Sequence, residues 1–534
     1  MLSYFVRWPR FCILFLLWLW LLAGGCTRRN YFQPDARVGN TGPLSAATDS
    51  VQATAGRHYN HHSALYCLVW GRHYRRVWAT PVATPVLRLA TAAPGGLRPG
   101  KTGGGYQSIS MTLVGSQGRE YVLRTLDKEP SKTLPEVLRS TFLLNAVRDA
   151  TSAAMPYGAL TVPPLAAAAG VPHAHPRLVY IRPDETGLGE ASARFQGKLA
   201  LLEERFSGPA WPTRDLAGAT SFIGGEAMLK RVYHHPSQAI DQPAFLRARL
   251  LDVWLGDWDR HEGQWQWAAF KEPRGGVRYR AIPKDRDQVY FRFDDGLIPW
   301  LAARPFIAPK FQTFRPTYGY VPGLVKQARF IDERGLSRLS RADFQRTALD
   351  LQRRLPDTLI DRAMRCLPPA VWSLEGARLA AALKARREAL PQAAKVFYLT
   401  LAHTPTLGGT AQAERFVVRR YPDSTTVQVF SPVLARLSPG DSLWFQRTYY
   451  CHETQTLTLD GLGGDDVFEI STAGGGRPMP LLLYGGPGHD EVRLSGSGRR
   501  LKLFDEASGM TGTGINHPSV PGKKHKGYDR LNDD

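Results

Sequence analysis

Asp259, Arg260 and His261, with Gln264 five positions after the aspartate, form a short segment able to do chemistry, Gly256-Asp257-Trp258-Asp259-Arg260-His261-Glu262-Gly263-Gln264-Trp265. A second acidic string, Lys284-Asp285-Arg286-Asp287-Gln288, follows about 25 residues later. The pair suits phosphoryl transfer. One carboxylate accepts the proton of an attacking hydroxyl, and other oxygen ligands hold the metal that shields the transferred phosphate. Asp259 is the candidate base, and Arg260 and His261 would brace its loop. Gln264 offers an amide oxygen, and Asp285 or Asp287 a carboxylate, to Mg²⁺ or Mn²⁺. Two residues apart, Asp285 and Asp287 would share one face of a strand, and spacing does not distinguish the ligand. The plainer alternative is a helix-ending turn in which Asp257 and Asp259 cap backbone amides.

The surrounding sequence predicts elements that could position these groups. Residues 65–113 read as short strands between Pro and Gly turns. Within them, Gly103, Gly104 and Gly105 would let backbone amides approach the phosphates of a bound nucleotide, or would simply turn a hairpin. The next strand, 121–126, carries Arg124, with Lys128 just past it; either cation could pair with those phosphates. A helix is predicted over 134–154, where Glu136 would orient the cation or form a surface salt bridge. Residues 159–170 are an apolar Ala/Pro stretch, and 178–181 and 199–204 read as strands. Asp241 is a plausible N-cap for a helix over 243–255, with Leu246, Leu250, Val253 and Trp254 on one face. Helical spacing returns at 341–354 and 374–390. From about Lys395, short β-runs alternate with Gly-rich turns. The expected fold class is therefore α+β: a two-lobe domain over 65–392, a β-rich domain over 393–508 and a polar, disordered tail over 509–534.

The order of strand, glycine loop, basic strand, helix, acidic loop and acidic hairpin resembles a kinase-like fold. Asp259-Arg260-His261 with Gln264, then Asp285-Arg286-Asp287, is similar to the catalytic loop and metal-binding segment of atypical kinases of the HipA, CotH and secretory-pathway Fam20 groups. Asn is usual where this chain has Gln264, and Lys where it has Arg124. A broader resemblance runs through YVLRTLDKEPSK, PYGALTVPPLAAAAGV, LLEERF, LLDVWLGDWDRHEGQW and IPKDRDQVYF. These strings look like the soluble region of large Bacteroidetes outer-membrane surface proteins. In those relatives the region precedes a BamA-type β-barrel, and this sequence ends about where such a barrel would begin. The resemblance implies an envelope compartment.

The N-terminus agrees with that compartment. Arg7 and Arg10 precede an apolar stretch over 11–22, then Leu21-Leu22-Ala23-Gly24-Gly25-Cys26. Small residues before a cysteine resemble a bacterial lipobox, implying a signal peptide over 1–25, acylation of Cys26 and a polar tether over 26–64. Acyl chains would hold the protein at the outer membrane, each buried methylene contributing roughly 0.8 kcal/mol. The net charge of +21 is dispersed. It matches no nucleic-acid motif and suits anionic lipid, envelope glycan or a barrel protein as partner. Cys67, Cys366 and Cys451 are too few and too scattered for a disulfide framework or a zinc pattern.

Two Gly-rich turns in the β-region, Asp460-Gly461-Leu462-Gly463-Gly464-Asp465-Asp466-Val467 and Gly485-Gly486-Pro487-Gly488-His489-Asp490-Glu491-Val492, fit a calcium-turn pattern with Asp465 and Asp490 as ligands. Gly-rich turns of an antiparallel β-domain are the alternative. Three functions are then open: a Mg²⁺-dependent kinase-like phosphotransferase, a non-catalytic envelope lipoprotein that binds protein or glycan, and a metal-dependent hydrolase using Asp257, Asp259, Asp285 and Asp287.

Overall fold

The helix Gln242–Leu255 is buried on nearly every side, two buried charges included, which gives it its central place. Phe245, Leu246, Leu250, Leu251, Trp254 and Leu255 are all fully buried. The sequence assigned its apolar residues to one face. The structure covers the other faces too, with the helices Arg341–Arg354 and Ala377–Ala402 and the strand Val277–Pro283. Asp241 caps the first turn, its carboxylate accepting from the Ala244 amide at 3.2 Å. Gly256 closes the last turn with a left-handed φ of 72°, where a Cβ would stand 2.9 Å from the Phe314 ring.

This computed structural model describes residues 30–39, 42–103, 109–207, 216–273, 275–437, 442–505, 510–513 and 520–521. The signal segment, Cys26, Gly104, Gly105 and most of the expected tail lie outside them; the described strands of that tail, Thr511–Thr513 and Val520–Pro521, are not disordered but pair onto the last β-assembly. The architecture is α+β. A five-stranded antiparallel sheet runs in the order Arg98–Gly103, Ser110–Val114, Glu120–Thr125, Leu199–Arg205, Arg177–Tyr180. A four-stranded sheet follows, in the order Ser221–Gly224, Trp265–Lys271, Val277–Pro283, Gln238–Ile240. The helices pack beyond it around Gln242–Leu255.

The third β-assembly is parallel where the alternative reading had it antiparallel. From Thr406 the chain alternates between two sheets, so that each circuit is one coil of a solenoid. Leu457 stacks on Leu481 and Leu481 on Leu501 in one sheet. Val467 stacks on Glu491 and Glu491 on Thr511 in the other. Leu459, Phe468, Leu483 and Val492 fill the space between. Two antiparallel strands, Ser424–Phe430 and Leu443–Tyr450, extend the second sheet at one edge.

Several local expectations are corrected. Residues 134–154 are not one helix. Turns at Pro130–Thr133 and Glu136–Leu138 precede a helix that begins only at Phe142–Asp149, because Thr141 caps it there. Residues 65–79 hold the helices Ala64–Trp70 and Arg75–Ala79, not strands; Ser63 caps the first. The Ala/Pro stretch is the helix Val162–Ala169, with proline in its first turn and Gly170 beyond its end. The described part of the expected tether is packed. Ala36, Ala53 and Tyr59 are buried, and Ser50–Ala53 pairs with Val82–Pro85. A few aromatic and small anchors suffice there without any hydrophobic period. The boundary expected at 392 falls inside Ala377–Ala402, and the solenoid starts at Thr406–Thr410. Cys67, Cys366 and Cys451 are free thiols.

Candidate functional site

The hairpin Trp265–Lys271 with Val277–Pro283 pairs Trp265 with Pro283. Gln264 and Lys284 therefore leave its end side by side, the Lys284 amide donating to the Gln264 carbonyl at 3.1 Å. This register brings the Asp259 loop against the Asp285–Asp287 segment. Arg260 holds the two together. It is fully buried and donates to the carbonyls of Lys284 at 2.8 Å and Gln264 at 3.0 Å, with its guanidinium over the Trp265 ring. His261 braces the turn in another way: its Nδ1 accepts from the Gly263 amide at 3.0 Å, and Nε2 lies 4.0 Å from Asp259. Asp259 stands at the open side of the loop, its side chain 26% exposed.

Asp285 and Asp287 do not lie on a strand face, as the two-residue spacing suggested. The strand ends at Pro283, and Asp285 takes a left-handed φ of 57°. Their carboxylates nevertheless meet the basic strand. Arg124, within Glu120–Thr125, pairs with Asp285, and Lys128 pairs with Asp287. Both candidate cations are thus at the site. Glu203 joins them, 3.8 Å from Arg124. Leu201 is directly opposite Arg124 in the sheet, so Glu203, two residues on, shares its face. Glu136 is exposed in its short turn; the carboxylates at Arg124 and Lys128 are Asp285, Asp287 and Glu203. Alternation along Leu199–Arg205 was the signal that could have found Glu203. Gln264 Nε2 lies 3.4 Å from Asp285 Oδ2, beside the acidic pair as expected. Gly103 ends the strand Arg98–Gly103, and Gly104 and Gly105 lie outside the described residues.

The two aspartates have opposite tendencies. Burial would raise Asp285, but Arg124 and then Lys128 outweigh it and hold the carboxyl below its usual range. Asp287 is pushed up by burial and then by the charge of Asp285, against Lys128. A deeper layer of charge lies beneath. Asp252, fully buried on the central helix, faces Arg286, Arg260 and Arg249. Burial opposes those charges, yet they hold Asp252 below its usual range. Arg249 also makes a two-pronged pair with Asp332, at 2.7 and 3.0 Å. Asp257 accepts from Arg286 at 3.2 Å, and burial carries it up to about 7 against Arg260 and Arg286. This engagement with arginines removes Asp257 from a four-carboxylate hydrolase set.

The donors at the site are two carboxylates and an amide, which is hard-oxygen chemistry suited to Mg²⁺ or Mn²⁺. Among the described residues no three His, Cys, Asp or Glu side chains are grouped to hold a metal ion. A cation here would rest on Asp285, Asp287 and the Gln264 amide oxygen.

The calcium expectation fares differently. Asp465 is exposed and accepts from the His489 amide at 2.8 Å, whereas Asp490 is buried and accepts from the Asp466 amide at 3.0 Å. The two point to different environments. Solenoid register matches Asp490 to Asp466, 24 residues apart, one less than the pattern match. Asp466 in turn accepts from the Glu414 amide at 2.8 Å. The stacked acids therefore cap the turn of the preceding coil. Burial and then Glu414 push Asp466 well above the usual carboxylate range.

Burial, in each case the largest cause, also lifts Asp127, Glu203 and Glu414 to about 7 and Asp332 to about 6. Each raised carboxyl holds its proton more tightly folded than unfolded. Its contribution to stability is complete below the ordinary carboxylate range near 4 and is lost as pH rises through 6 to 7. Asp149, whose burial is outweighed by His62 and Arg75, sits at about 2 and weakens the fold only in stronger acid. The melting temperature is expected to peak near pH 4 and fall steadily by pH 7.5. A thermal-melt series across this range checks it; a flat or rising profile contradicts it.

No protein-family model matches this chain, and no curated protein is detectably similar to it.

Proposed function

We propose that this protein is an envelope lipoprotein bearing an atypical kinase-like, Mg²⁺-dependent phosphotransferase site. One observation carries the reading: three segments remote in sequence supply Arg124 and Lys128, Asp259 to Gln264, and Asp285 and Asp287 to one place. A five-stranded sheet carries the cations, and a helix-to-hairpin loop carries the acids. In this reading Asp285 and Asp287 would hold the metal, with Gln264 assisting, and Arg124 and Lys128 would pair with the phosphates of the donor. The bound metal supplies charge neutralisation at the transferred phosphate. Asp259 takes the proton of the attacking hydroxyl, and Arg260 fixes the loop that presents it. The N-terminal basic, apolar and small-residue order before Cys26 supports lipid anchoring at the outer membrane, with a barrel protein or envelope glycan as neighbour.

A second reading draws on the same geometry. Arg124 and Lys128 already neutralise Asp285 and Asp287 within the protein. A site self-satisfied in this way suits a non-catalytic module whose two domains bind protein or glycan. Mg²⁺–nucleotide titration followed by thermal melting separates the two. The phosphotransferase is expected to gain a few degrees with Mg²⁺ and nucleotide together, and Asp285→Asn to lose that gain. No stabilisation by any nucleotide, with Mg²⁺ or Mn²⁺, leaves the binding module.

A further inference from the structure

Where the helical region meets the solenoid, a cavity of about 220 Å³ opens. One wall comes from Gln238–Ile240, one from residues 334–339 and one from the strand Leu443–Tyr450. Its charge is one-sided. Arg278, Arg334 and Arg338 all line it. Arg278 has Glu272 as partner at 2.5 Å. Arg334 is buried and donates only to backbone carbonyls, those of Gly408, of Gly409 at 3.1 Å and of Val232 at 3.3 Å. Arg338, exposed at the mouth, donates to the Trp444 carbonyl. Among the described residues no carboxylate pairs with Arg334 or Arg338, and burial, then the like charges of Arg334 and Arg278, lower Arg338 to about 10, which leaves it a cation at neutral pH.

The rest of the lining is apolar. The Arg334 and Arg338 guanidiniums lie 5.1 and 5.7 Å from the centre of the Trp444 ring. Ile240, Pro243, Leu339 and Phe445 complete the wall. Like charges converging in a cleft raise the local concentration of anions. Guanidinium forks match the oxygens of a phosphate better than a point charge does. We propose that this cavity binds a small, soluble phosphorylated organic anion, of about sugar-phosphate size. Its phosphate takes the free N–H groups of Arg338 and Arg278, and its body lies against Trp444 and Phe445. The ligand would touch the helical region and the solenoid at once. The site shares no residue with the Asp259 loop or the Asp285–Asp287 segment.

Calorimetric titration of the full chain with glucose 6-phosphate tests this. Binding is expected for wild type, to weaken at least tenfold in Arg338→Ala, and to be partly recovered in Arg338→Lys. Asp285→Asn should bind as wild type does, which separates this cavity from the proposed catalytic site. Arg338→Ala loses the bond to the Trp444 carbonyl, so its unliganded melting temperature is expected to fall slightly, and titration below that melt keeps the loss of binding attributable to the cation. Equal binding by Arg338→Ala overturns the proposal, as does no binding by wild type. Equal affinity for citrate overturns the assignment to phosphate. Arg338-dependent capture on phosphatidylglycerol vesicles without uptake of the soluble sugar phosphate overturns the soluble ligand in favour of a lipid headgroup.

Discussion

Asp259→Ala is expected to abolish phosphate transfer, by about 10²–10⁴-fold if proton transfer is its whole share, while leaving Mg²⁺ affinity near wild type. The separation follows from position. Asp259 stands at the open side of its loop, and the side chain beside the acidic pair is Gln264. Truncating a partly exposed carboxylate leaves the buried braces Arg260 and Trp265 in place. Asp285→Ala and Asp287→Ala are expected to do the reverse and weaken the metal itself. Calorimetry with Mg²⁺ and Mn²⁺, with and without nucleotide, checks the metal, and a phosphate-transfer assay checks the chemistry. If wild type and the Asp285/Asp287 double variant bind metal equally poorly, the enzyme reading fails. Full transfer activity in Asp259→Ala would remove that residue as the base.

Asp252→Ala should be the most damaging single change to stability, costing roughly 3–5 kcal/mol. Its carboxylate is fully buried and serves three guanidiniums, those of Arg249, Arg260 and Arg286. Removing it strands three cations with only Asp257 and Asp332 to balance them. The loss spreads to the loop, because Arg260 and Arg286 lie on either side of the hairpin end. Asp252→Asn keeps the shape and loses the charge, so it should also destabilise strongly. Removal of the exposed Asp184, paired only with Arg182 at the surface, should be nearly neutral. Urea unfolding of these three variants gives the comparison. An Asp252→Ala protein as stable as wild type would mean that the layer is not ionised as described.

Much of the site was legible because it is built from local rules. Asp241 and Gly256 bound the central helix by ordinary capping chemistry, and Asp241 stood out in the sequence as its N-cap. The acidic loop was legible from residue types at fixed spacing. What brought it to Asp285 and Asp287 was hairpin register, and register needs only the two strand runs and the turn between them. Glu203 was missed because its partner, Arg124, lies on a strand far earlier in the chain, and no local spacing encodes that pairing. Asp252 and Asp332 were missed for a related reason: within a helix they look like surface polar residues until the all-round burial is known. In the solenoid the two Gly-rich turns were recognised but aligned one residue out. A motif aligns on its glycines, whereas the structure aligns on stacked leucines. The single-residue shift exchanged exposed Asp465 for buried Asp466.

Arg386 gives the Asp257–Gln264 loop a dependence on distant parts of the chain. This buried arginine has no carboxylate partner among the described residues, and burial lowers it to about 10. It donates instead to the last carbonyls of the central helix, Val253 at 2.6 Å and Trp254 at 2.8 Å, where a cation complements the negative helix end. The Asp257–Gln264 loop starts three residues later. Arg386 belongs to Ala377–Ala402, and near the far end of that helix the Tyr398 hydroxyl donates to Glu453 at 2.7 Å and Thr454 donates to the Ala402 carbonyl at 2.8 Å. The long helix is thus a lever arm with the solenoid at one end and the loop's point of departure near its middle. A change that shifts the seating of the solenoid on this helix is expected to reach the loop through Arg386 rather than through any direct contact of its own.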